Sequence, residues 1–310
     1  MKKILIYNQG GLGDVFLSTF LIPSIKRAYP DCEMGMFVTP KTQVAARDCL
    51  GVDEIHAHEP WLRPEDPIRM KIWRLFYFLL FQRNKIVREI ENYDCVLNTY
   101  PFFAGVGSLF YKAKIPMRVG FETIGERHFF THLVPWVEDE YLVEHYKRML
   151  HSIGIEPEPF QSPWIVPELS AGKYIIFHIG SANPIKDLPV SFWKALYEAL
   201  RAEGYQITFT GKGEDQRRFI EQITDRHLCD QLNWVEFIQT IHQSALLISV
   251  DTVAVHLAAA MKKPFIVLYQ STLDIPLWFP KNGVFFNEEF GPEQVSKKAL
   301  KMLHEEKIHL

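Results

Sequence analysis

The stretch from residue 245 to residue 269 restricts the fold more than any other part of the sequence. Ala245 to Val250 and Phe265 to Tyr269 are apolar runs of strand length. Asp251 and Thr252 supply a polar turn after the first run, and a helical stretch lies between that turn and the second run. Strands joined through a helix are typical of a parallel sheet covered by helices. We therefore predict an α/β fold.

The polar turn has two interpretations. The start of a helix presents free backbone amides and the positive end of the helix dipole, which suit an anion such as a diphosphate. Asp251 or Thr252 is placed to cap the helix, and His256 lies on its first turn. Alternatively, the stretch is an ordinary turn with a capping residue and a structural histidine. Taken alone, the residues favour this second interpretation, because capping residues are common.

The chain begins with a similar unit. The strand Lys3 to Asn8 runs into the glycine-rich turn Gly10 to Asp14, and we predict a helix from Val15 to Ala28. A dinucleotide-binding fingerprint requires a third glycine near Phe16, and the sequence has none there. The turn is therefore only a weak indication of an NAD site.

The succession of strands and helices occurs twice, separated by a segment rich in proline. We predict two domains, residues 1–160 and 161–310. The four prolines of the separating segment are Pro157, Pro159, Pro163 and Pro167. The other predicted strands are Glu33 to Val38, Glu54 to His56, Cys95 to Asn98, Arg118 to Gly120, Tyr174 to Ile179 and Gln206 to Thr210. The other predicted helices are Gln43 to Cys49, Glu138 to Ile153, Ser191 to Glu203, Gln216 to Ile223 and Pro292 to His304.

Composition narrows the class of protein. A chain of 310 residues with 47% hydrophobic content can bury two cores, and a net charge of −3 gives no general attraction to nucleic acid. The cysteines form no CxxC pair, which argues against a zinc site and a disulfide framework and favours a reducing cytoplasm. They are Cys32, Cys49, Cys95 and Cys229.

We predict neither a signal peptide nor a membrane-spanning helix. The first residues, MKKILIYN, resemble the start of a signal peptide, but Asn8, Gln9 and the following glycines interrupt the apolar run. The apolar stretch Leu75 to Phe81 is far shorter than the roughly 20 residues that cross a membrane. The expected location is the cytoplasm.

The segment Pro60 to Glu91 interleaves aromatic and basic residues. Such a composition suits a surface that meets anionic lipid headgroups or an anionic acceptor. Equally, it suits two amphipathic helices packed on the sheet with a solvated basic face. Besides Leu75 to Phe81, the residues concerned are Trp61, Arg63, Arg69, Lys71, Trp73, Arg74, Arg83, Lys85 and Arg88.

Two motifs resemble those of the family 9 glycosyltransferases, the heptosyltransferases of lipopolysaccharide core synthesis. Asp251, Thr252, His256 and Leu257 to Ala259 match the family signature Asp-Thr/Ser-Gly, two residues, His-Leu-Ala-Ala. Val253 stands where the family has glycine, which tolerates positive φ and lets the backbone approach a phosphate closely. GLGDVFLST resembles the opening motif, with Phe20 in place of the usual proline.

The resemblance implies a GT-B fold, in which two Rossmann-like doubly wound domains face each other across a cleft. It implies a metal-independent, inverting glycosyltransferase without a cofactor that moves heptose from ADP-heptose to a lipopolysaccharide core acceptor. The chain contains no Asp-x-Asp pair, which agrees with metal independence. The alternatives are another nucleotide-sugar enzyme of this fold, such as an epimerase or hydrolase, and a catalytically silent binding protein.

The resemblance also assigns site residues. Asp14 matches the family's general base, although it could instead be the N-cap of the first helix. Lys186 would stabilise the departing diphosphate, unless it is one more solvated loop lysine. Glu214 would bind the ribose, or is simply an exposed residue at a helix start. The other expected donor-binding residues are Ser181, Asp251, Thr252 and His256, and the expected acceptor-binding residues are Gly11, Gly13, Arg63, Arg118 and Arg127.

The expected partners follow from the resemblance, from the net charge and from the basic and aromatic segment Pro60 to Glu91. They are a nucleotide sugar and an anionic lipid-linked saccharide, with peripheral contact to the inner membrane and no nucleic acid.

Overall fold

The structure is a computed structural model that describes residues 1–47, 49–63, 66–101, 105–123, 125–138, 140–159, 174–181, 186–269, 280, 283–286 and 290–307. The chain divides into two compact units, Met1–Trp164 and Ile165–Leu310, here called the first and the second unit. The predicted boundary between residues 160 and 161 lies outside the described residues, as do Pro163 and Pro167.

The described part of the first unit forms a parallel sheet of six strands in the order β3-β2-β1-β4-β5-β6. Every side chain from Ile4 to Tyr7 of the central strand β1 is buried, so the protein covers both faces of that strand. The strands are β1 (Lys3–Tyr7), β2 (Glu33–Val38), β3 (Glu54–Ala57), β4 (Cys95–Asn98), β5 (Met117–Phe121) and β6 (His132–Val134).

Helices connect these strands. A π-helical segment, Phe78–Gln82, joins the fourth and fifth helices into one continuous helix, and a short 3₁₀ helix covers Arg127–Phe129. The α-helices are α1 (Leu12–Ser18), α2 (Leu21–Ala28), α3 (Val44–Arg47), α4 (Ile68–Tyr77), α5 (Arg83–Ile90), α6 (Val106–Lys112) and α7 (Leu142–Ser152).

The described part of the second unit forms a parallel sheet of five strands in the order β11-β10-β9-β7-β8. Trp193 is fully buried beneath this sheet, with its ring 5.3 Å from that of Phe177. The strands are β7 (Tyr174–His178), β8 (Gln206–Thr210), β9 (Leu246–Val250), β10 (Phe265–Leu268) and β11 (Val284–Phe286). The helices are α8 (Val190–Ala202), α9 (Glu214–Glu221), α10 (Trp234–Gln243), α11 (Val253–Ala260) and α12 (Pro292–Lys307).

Each sheet has one point at which the order of strands reverses, here called its switch point. In the first unit it lies between β1 and β4, and in the second between β7 and β9. Turns that leave neighbouring strands in opposite directions open a crevice at the carboxyl ends of those strands, where α/β proteins bind ligands. The turn at Gly10 to Asp14 follows β1, and the turn at Asp251 and Thr252 follows β9. Both motifs therefore lie at a switch point.

The predicted α/β fold is confirmed, and each predicted strand agrees with an observed one to within one residue at either end. α7 begins at Leu142 rather than at Glu138, α3 is shorter than predicted, and α9 begins and ends two residues early. The strands β6 and β11 and the helices α6 and α10 were not predicted. Each of the two strands has three residues, which is too short for a hydrophobic period to be visible.

The prediction of one helix from Val15 to Ala28 is wrong. The structure has two helices, separated at Thr19 and Phe20. Pro23 explains the interruption, because it has no N–H to donate to the carbonyl of Thr19 in an unbroken helix but is tolerated in the first turn of a new one. The hydroxyl of Thr19 donates to the carbonyl of Phe16 at 2.6 Å, at the end of α1.

The structure tests one of the two interpretations of segment 60–91, that of two amphipathic helices packed on the sheet, and confirms it for one helix only. α5 packs into the core through Ile86, Val87 and Ile90, as expected of a helix on the sheet. By contrast, α4 buries none of its side chains, so it is not packed in this way. Among the described helices, none combines the length and the apolarity needed to cross a bilayer.

We predict that Gly35 cannot be replaced without loss of stability. A Cβ atom on Gly35 would lie 1.9 Å from the Oη atom of Tyr93, which is buried and hydrogen-bonded to His56. The change Gly35→Ala should lower the free energy of unfolding by about 1–3 kcal/mol, the usual cost of overpacking. Urea denaturation followed by circular dichroism measures the effect.

The matched control is Gly125→Ala, because a Cβ atom at that position has no neighbour within 4 Å. Equal urea midpoints for Gly35→Ala and Gly125→Ala would show that the close approach of Gly35 and Tyr93 does not restrict the residue at position 35.

Candidate active site

Asn8 organises the turn after β1. It is fully buried, and its Nδ2 donates to the carbonyl of Asp14 at 3.1 Å and to Oγ1 of Thr99 at 3.0 Å. Its Oδ1 accepts from the N–H of Gly10 at 2.9 Å. One side chain thus ties the glycine-rich turn to the end of β4 and fixes the start of α1.

Asp14 is the third residue of α1, and Gly11 is its N-cap. The interpretation of Asp14 as the N-cap is therefore wrong, but the side chain does stabilise the helix start, because its Oδ2 accepts from the N–H of Gly11 at 2.6 Å. A Cβ atom on Gly10 would lie 2.3 Å from that oxygen. The glycine at this position therefore allows the turn to close over the carboxylate.

The charge of Asp14 acts on a buried tyrosine. Burial, and secondarily the charge of Asp14, raise the pKa of Tyr146 well above its usual value. The hydroxyl of Tyr146 donates to the carbonyl of Thr99 at 3.2 Å, at the end of β4. Asp14, Tyr146 and Thr99 therefore belong to one polar group at the switch point of the first sheet.

Of the expected acceptor-binding residues, Gly11 and Gly13 lie beside Asp14 in this turn. Arg127 lies in the loop that leaves the carboxyl end of β5, and its side chain is exposed, 4.0 Å from a carboxylate oxygen of Glu122. Arg63 forms an ion pair with Glu59. Their role in acceptor binding stays a prediction.

Arg118 lies elsewhere. It is the second residue of β5, and its guanidinium donates to the carbonyls of Ile115 and Pro116, which precede that strand, and to the carbonyl of Phe129. These carbonyls hold the guanidinium near the amino end of β5, whereas Asp14 lies beyond the carboxyl end of β1. The structure therefore does not bring Arg118 together with Asp14, and its hydrogen bonds support a structural role.

In the second unit, Thr252 is the cap of α11. Its Oγ1 accepts from the N–H of Ala254 at 3.3 Å, so Thr252 and not Asp251 caps the helix. Oδ2 of Asp251 lies 2.5 Å from Nζ of Lys186, and only 7% of the Asp251 side chain is exposed. The predicted alternative for Lys186, a solvated loop lysine, is therefore wrong: the ammonium group is paired with a buried carboxylate at the start of a helix.

Two histidines near this edge are held neutral. Burial lowers the pKa of His256 to about 4, while the charge of Asp251 raises this pKa and the charge of Lys186 lowers it. Burial also lowers the pKa of His178, the last residue of β7, to about 4. Nδ1 of His178 lies 2.9 Å from Oγ1 of Thr210, at the end of β8. At neutral pH both rings are uncharged hydrogen-bonding groups.

Ser181 follows β7 on the same edge of the sheet. Its backbone N–H donates to Oδ1 of Asp187 at 3.2 Å, and burial raises the pKa of Asp187. Residues 182–185 of this loop are outside the described part of the chain. Ser181, Lys186 and the start of α11 thus all belong to the turns that leave β7 and β9, the two strands of the switch point.

Glu214 is the first residue of α9, on the turn that leaves β8. It is exposed and forms an ion pair with Arg218, as the simpler interpretation expected. The nearby Gln216 packs closely against two turns, because a Cβ atom on either Gly180 or Gly211 would collide with its side chain. A role of Glu214 in ribose binding stays a prediction.

The two departures from the family motifs are accommodated without backbone strain. Val253 is the first residue of α11 and does not have positive φ; the described non-glycine residues that do are Lys114, Asp230 and Lys262. Phe20 is 2% exposed, at the junction of α1 and α2. Valine at position 253 is therefore compatible with the fold of the turn.

Sequence reasoning missed several residues of these edges. Asn8 and His178 are polar residues at the carboxyl ends of apolar strands. This position in the sequence could have marked them as candidate site residues. Asn98 ends β4 in the same way; it is fully buried, and among the described residues its Nδ2 has no hydrogen-bond acceptor. No sequence pattern indicates Gln216, because it contacts Gly180 and Gly211 only in the folded chain.

Among the described residues, no group of three or more histidine, cysteine, aspartate or glutamate side chains is placed to hold a metal ion. The edge of the second sheet instead offers a lysine, a capped helix start, hydroxyl groups and a neutral histidine. Because Lys186 is paired with Asp251, an anion would bind here through hydrogen bonds and through a share of the lysine's charge.

We predict that acid destabilises the chain through His256. In the unfolded chain His256 binds a proton below its usual pKa of 6.5, whereas in the folded chain it does so only near pH 4. The contribution of His256 to the free energy of unfolding is therefore fully present above pH 6.5 and is lost as the pH falls toward 4. At pH 5 the loss from this group is about 2 kcal/mol. In His256→Gln the free energy of unfolding should therefore fall less between pH 7 and pH 5 than in the wild type.

Urea unfolding at several pH values measures this difference, and His128→Gln, at an exposed histidine, is the control that should follow the wild type. If the stability of His256→Gln changes with pH in parallel with the wild type, His256 is not the residue responsible.

The chain is similar in sequence to known proteins of one family. The family model described as Glycosyltransferase family 9 (heptosyltransferase) matches residues 85–304. Lipopolysaccharide heptosyltransferase 3 of Escherichia coli is 24% identical over 293 residues, which cover 86% of this chain and 83% of that protein. The match of the family model includes the whole described edge of the second sheet.

Solved structures show the same fold. The family 9 glycosyl transferase of Veillonella parvula DSM 2008 is similar with a TM-score of 0.77 and 19% identity, over 98% of this chain and 97% of that one. Heptosyltransferase WaaC of E. coli, solved with ADP, has a TM-score of 0.75 and 19% identity, over 98% of this chain and 99% of that one. The predicted GT-B type of fold, with two Rossmann-like domains, is confirmed. The family match covers well over half of the chain, which therefore belongs to glycosyltransferase family 9, the heptosyltransferase family, and is a glycosyltransferase.

Proposed function

We propose that this glycosyltransferase moves heptose from ADP-heptose to a lipopolysaccharide core acceptor, with inversion at the anomeric carbon and without a metal ion. The observation that carries the proposal is the pairing of Lys186 with the buried Asp251 at the start of α11. The names of the relatives support the choice of sugar and acceptor, because one is a lipopolysaccharide heptosyltransferase and another is a heptosyltransferase solved with ADP.

The second unit would bind the donor. A diphosphate at the start of α11 gains hydrogen bonds from the free backbone amides and the positive end of the helix dipole. It also offers Lys186 a second anionic partner, so the ammonium group could turn from Asp251 toward the diphosphate. Ser181 and Thr252 would donate hydroxyl hydrogen bonds. His256 is neutral and would line the phosphate site as a hydrogen-bonding group rather than as a cation.

Charge development explains why the lysine matters for the rate. When the bond between the anomeric carbon and the diphosphate oxygen breaks, the electron pair leaves with the diphosphate. A fixed ammonium group opposite that oxygen stabilises the transition state more than the ground state. In this way Lys186 and the helix start would supply the charge stabilisation that a metal ion supplies in other transferases.

The first unit would activate the acceptor. A sugar hydroxyl is a poor nucleophile until a base takes its proton. Asp14 would accept that proton while the hydroxyl oxygen forms a bond to the anomeric carbon on the face opposite the leaving diphosphate. Attack from that face inverts the configuration. The hydrogen bonds of Asn8 and of the Gly11 N–H would hold the turn and the carboxylate in place.

The reaction itself is the first test. Purified protein, ADP-heptose and a lipopolysaccharide core acceptor are incubated with EDTA, and the products are followed by mass spectrometry and by release of ADP. We expect one ADP for each heptose added, at the same rate with magnesium in place of EDTA. A rate that depends on magnesium would contradict metal independence, and ADP release without a glycosylated product would favour a hydrolase.

We predict that Asp14→Asn lowers kcat by about a hundredfold to ten-thousandfold, the usual contribution of a general base. Asparagine keeps an oxygen that can accept the N–H of Gly11, so the start of α1 should be retained. The Kd for ADP-heptose, measured by calorimetry, should stay close to that of the wild type because Asp14 belongs to the other unit. An unchanged kcat would rule out Asp14 as the base.

We predict that Lys186→Met lowers kcat by about a hundredfold to a thousandfold, since it removes the positive charge opposite the leaving group. Steady-state kinetics measure this effect, and Lys194→Met, at an exposed lysine of α8, is the matched control. A loss that appears only in the KM for the donor would show that Lys186 binds the ground state and does not act on the transition state.

A further inference from the structure

An exposed apolar surface covers α4 and the π-helical segment that follows it. Among the described residues, fourteen large hydrophobic side chains are exposed, and ten of them lie between Ile68 and Phe81. Ile72 is 63% exposed and Phe76 is 62% exposed. Single exposed hydrophobic residues are common on proteins, but a contiguous patch of this kind marks a site of interaction.

This surface belongs to a well-anchored helix. At the centre, Phe78 is buried and stacks on Trp61 at a ring distance of 4.2 Å. At the C-terminal end, Ile86 and Ile90 of α5 reach the core of the first unit. The helix is thus anchored at its centre and at its C-terminal end, whereas eight of the ten side chains of α4 are exposed.

The charge of the same helix limits the kinds of partner that fit it. Residues 67–90 contain six lysines and arginines but one acidic residue, Glu89, whose carboxylate lies 2.6 Å from Nε2 of His58. The whole chain has a net charge of −3, so the positive charge is local. Arg69, Lys85 and Arg88 are exposed. A basic surface that is also apolar fits a partner with negative charge above a hydrocarbon layer.

The aromatic residues agree with such a partner. Trp73 and Tyr77 are exposed and stack on each other at a ring distance of 5.4 Å. Tryptophan and tyrosine prefer the boundary between lipid headgroups and acyl chains, because one end of the ring system is polar and the rest is apolar. An open surface cavity of about 500 Å³, lined in part by Phe81, Lys85 and Arg88, continues this surface along α5.

We propose that the helix from Ile68 to Ile90 docks the protein on an anionic lipid bilayer, with the apolar residues of α4 inserted among the headgroups and the basic residues on lipid phosphates. A second copy of the chain fits less well, because a symmetric contact would bring two strongly basic helices together. A water-soluble anionic ligand would use the basic residues but not the exposed Ile72 and Phe76. The proposal goes beyond the transfer reaction and can be tested without donor or acceptor.

Vesicle flotation tests the docking. The full chain is mixed with vesicles of phosphatidylcholine containing about 30% phosphatidylglycerol, and with pure phosphatidylcholine vesicles, in low salt. We expect the protein to float with the anionic vesicles, with at least tenfold weaker partitioning onto neutral ones and in 0.5 M NaCl. Absence of binding to anionic vesicles would overturn the proposal.

Two double variants locate the surface. In Ile72→Asp with Phe76→Asp, partitioning onto anionic vesicles should fall at least tenfold. In the control, Leu50→Asp with Val235→Asp, two exposed hydrophobic residues elsewhere are changed in the same way and partitioning should stay as in the wild type. Thermal unfolding checks that both variants are folded. Equal partitioning of the two double variants would overturn the proposal.

Two further measurements separate lipid contact from the other occupants. Tryptophan emission should shift to shorter wavelength on binding to vesicles, and most of that shift should disappear in Trp73→Phe. Light scattering without lipid gives the mass of the wild type and of the Ile72 and Phe76 variant. A wild-type dimer that becomes a monomer in the variant would assign the surface to a second copy and overturn the proposal.

Discussion

The parallel arrangement of the strands is the constraint on which both units depend. Because every strand of a sheet runs in the same direction, all carboxyl ends meet at one edge, and the turns diverge only where the order of the strands reverses. In the first sheet this point lies between β1 and β4, and in the second between β7 and β9. The residues that matter most for the proposed chemistry all lie in the turns at these two points.

Each switch point is held by a different kind of interaction. In the first unit it is a network of neutral hydrogen bonds in which the buried Asn8 joins the glycine-rich turn to Thr99. In the second unit it is an ion pair between Lys186 and the buried Asp251. A buried carboxylate is costly without a partner, so Asp251 holds the lysine at the helix start before any ligand arrives. In the proposed function, this ion pair would keep Lys186 in position for the diphosphate in the free protein.

The sequence was sufficient to predict those features that depend on local patterns. Apolar runs followed by glycine or by Asp-Thr predicted the strands and the turns, because strand length and capping are local properties. Contacts between distant residues could not be predicted from local patterns. Nothing near Lys186 in the sequence predicts its pairing with Asp251. Likewise, nothing near Arg118 predicts that backbone carbonyls surround its guanidinium group. Pro23 did carry a signal, since a proline ends an unbroken helix, and that signal was overlooked.

The most direct test of the account is whether the edge of the second sheet binds a nucleoside diphosphate. A ligand that binds the native state raises the melting temperature by an amount set by its concentration relative to Kd. Thermal unfolding of the wild type in EDTA, with ADP, UDP, GDP and ADP-heptose in turn, gives the answer. The account predicts a rise with ADP and a larger rise with ADP-heptose, both unchanged by magnesium. No rise with any nucleotide would contradict it and would point to a protein that has kept the fold without the donor site.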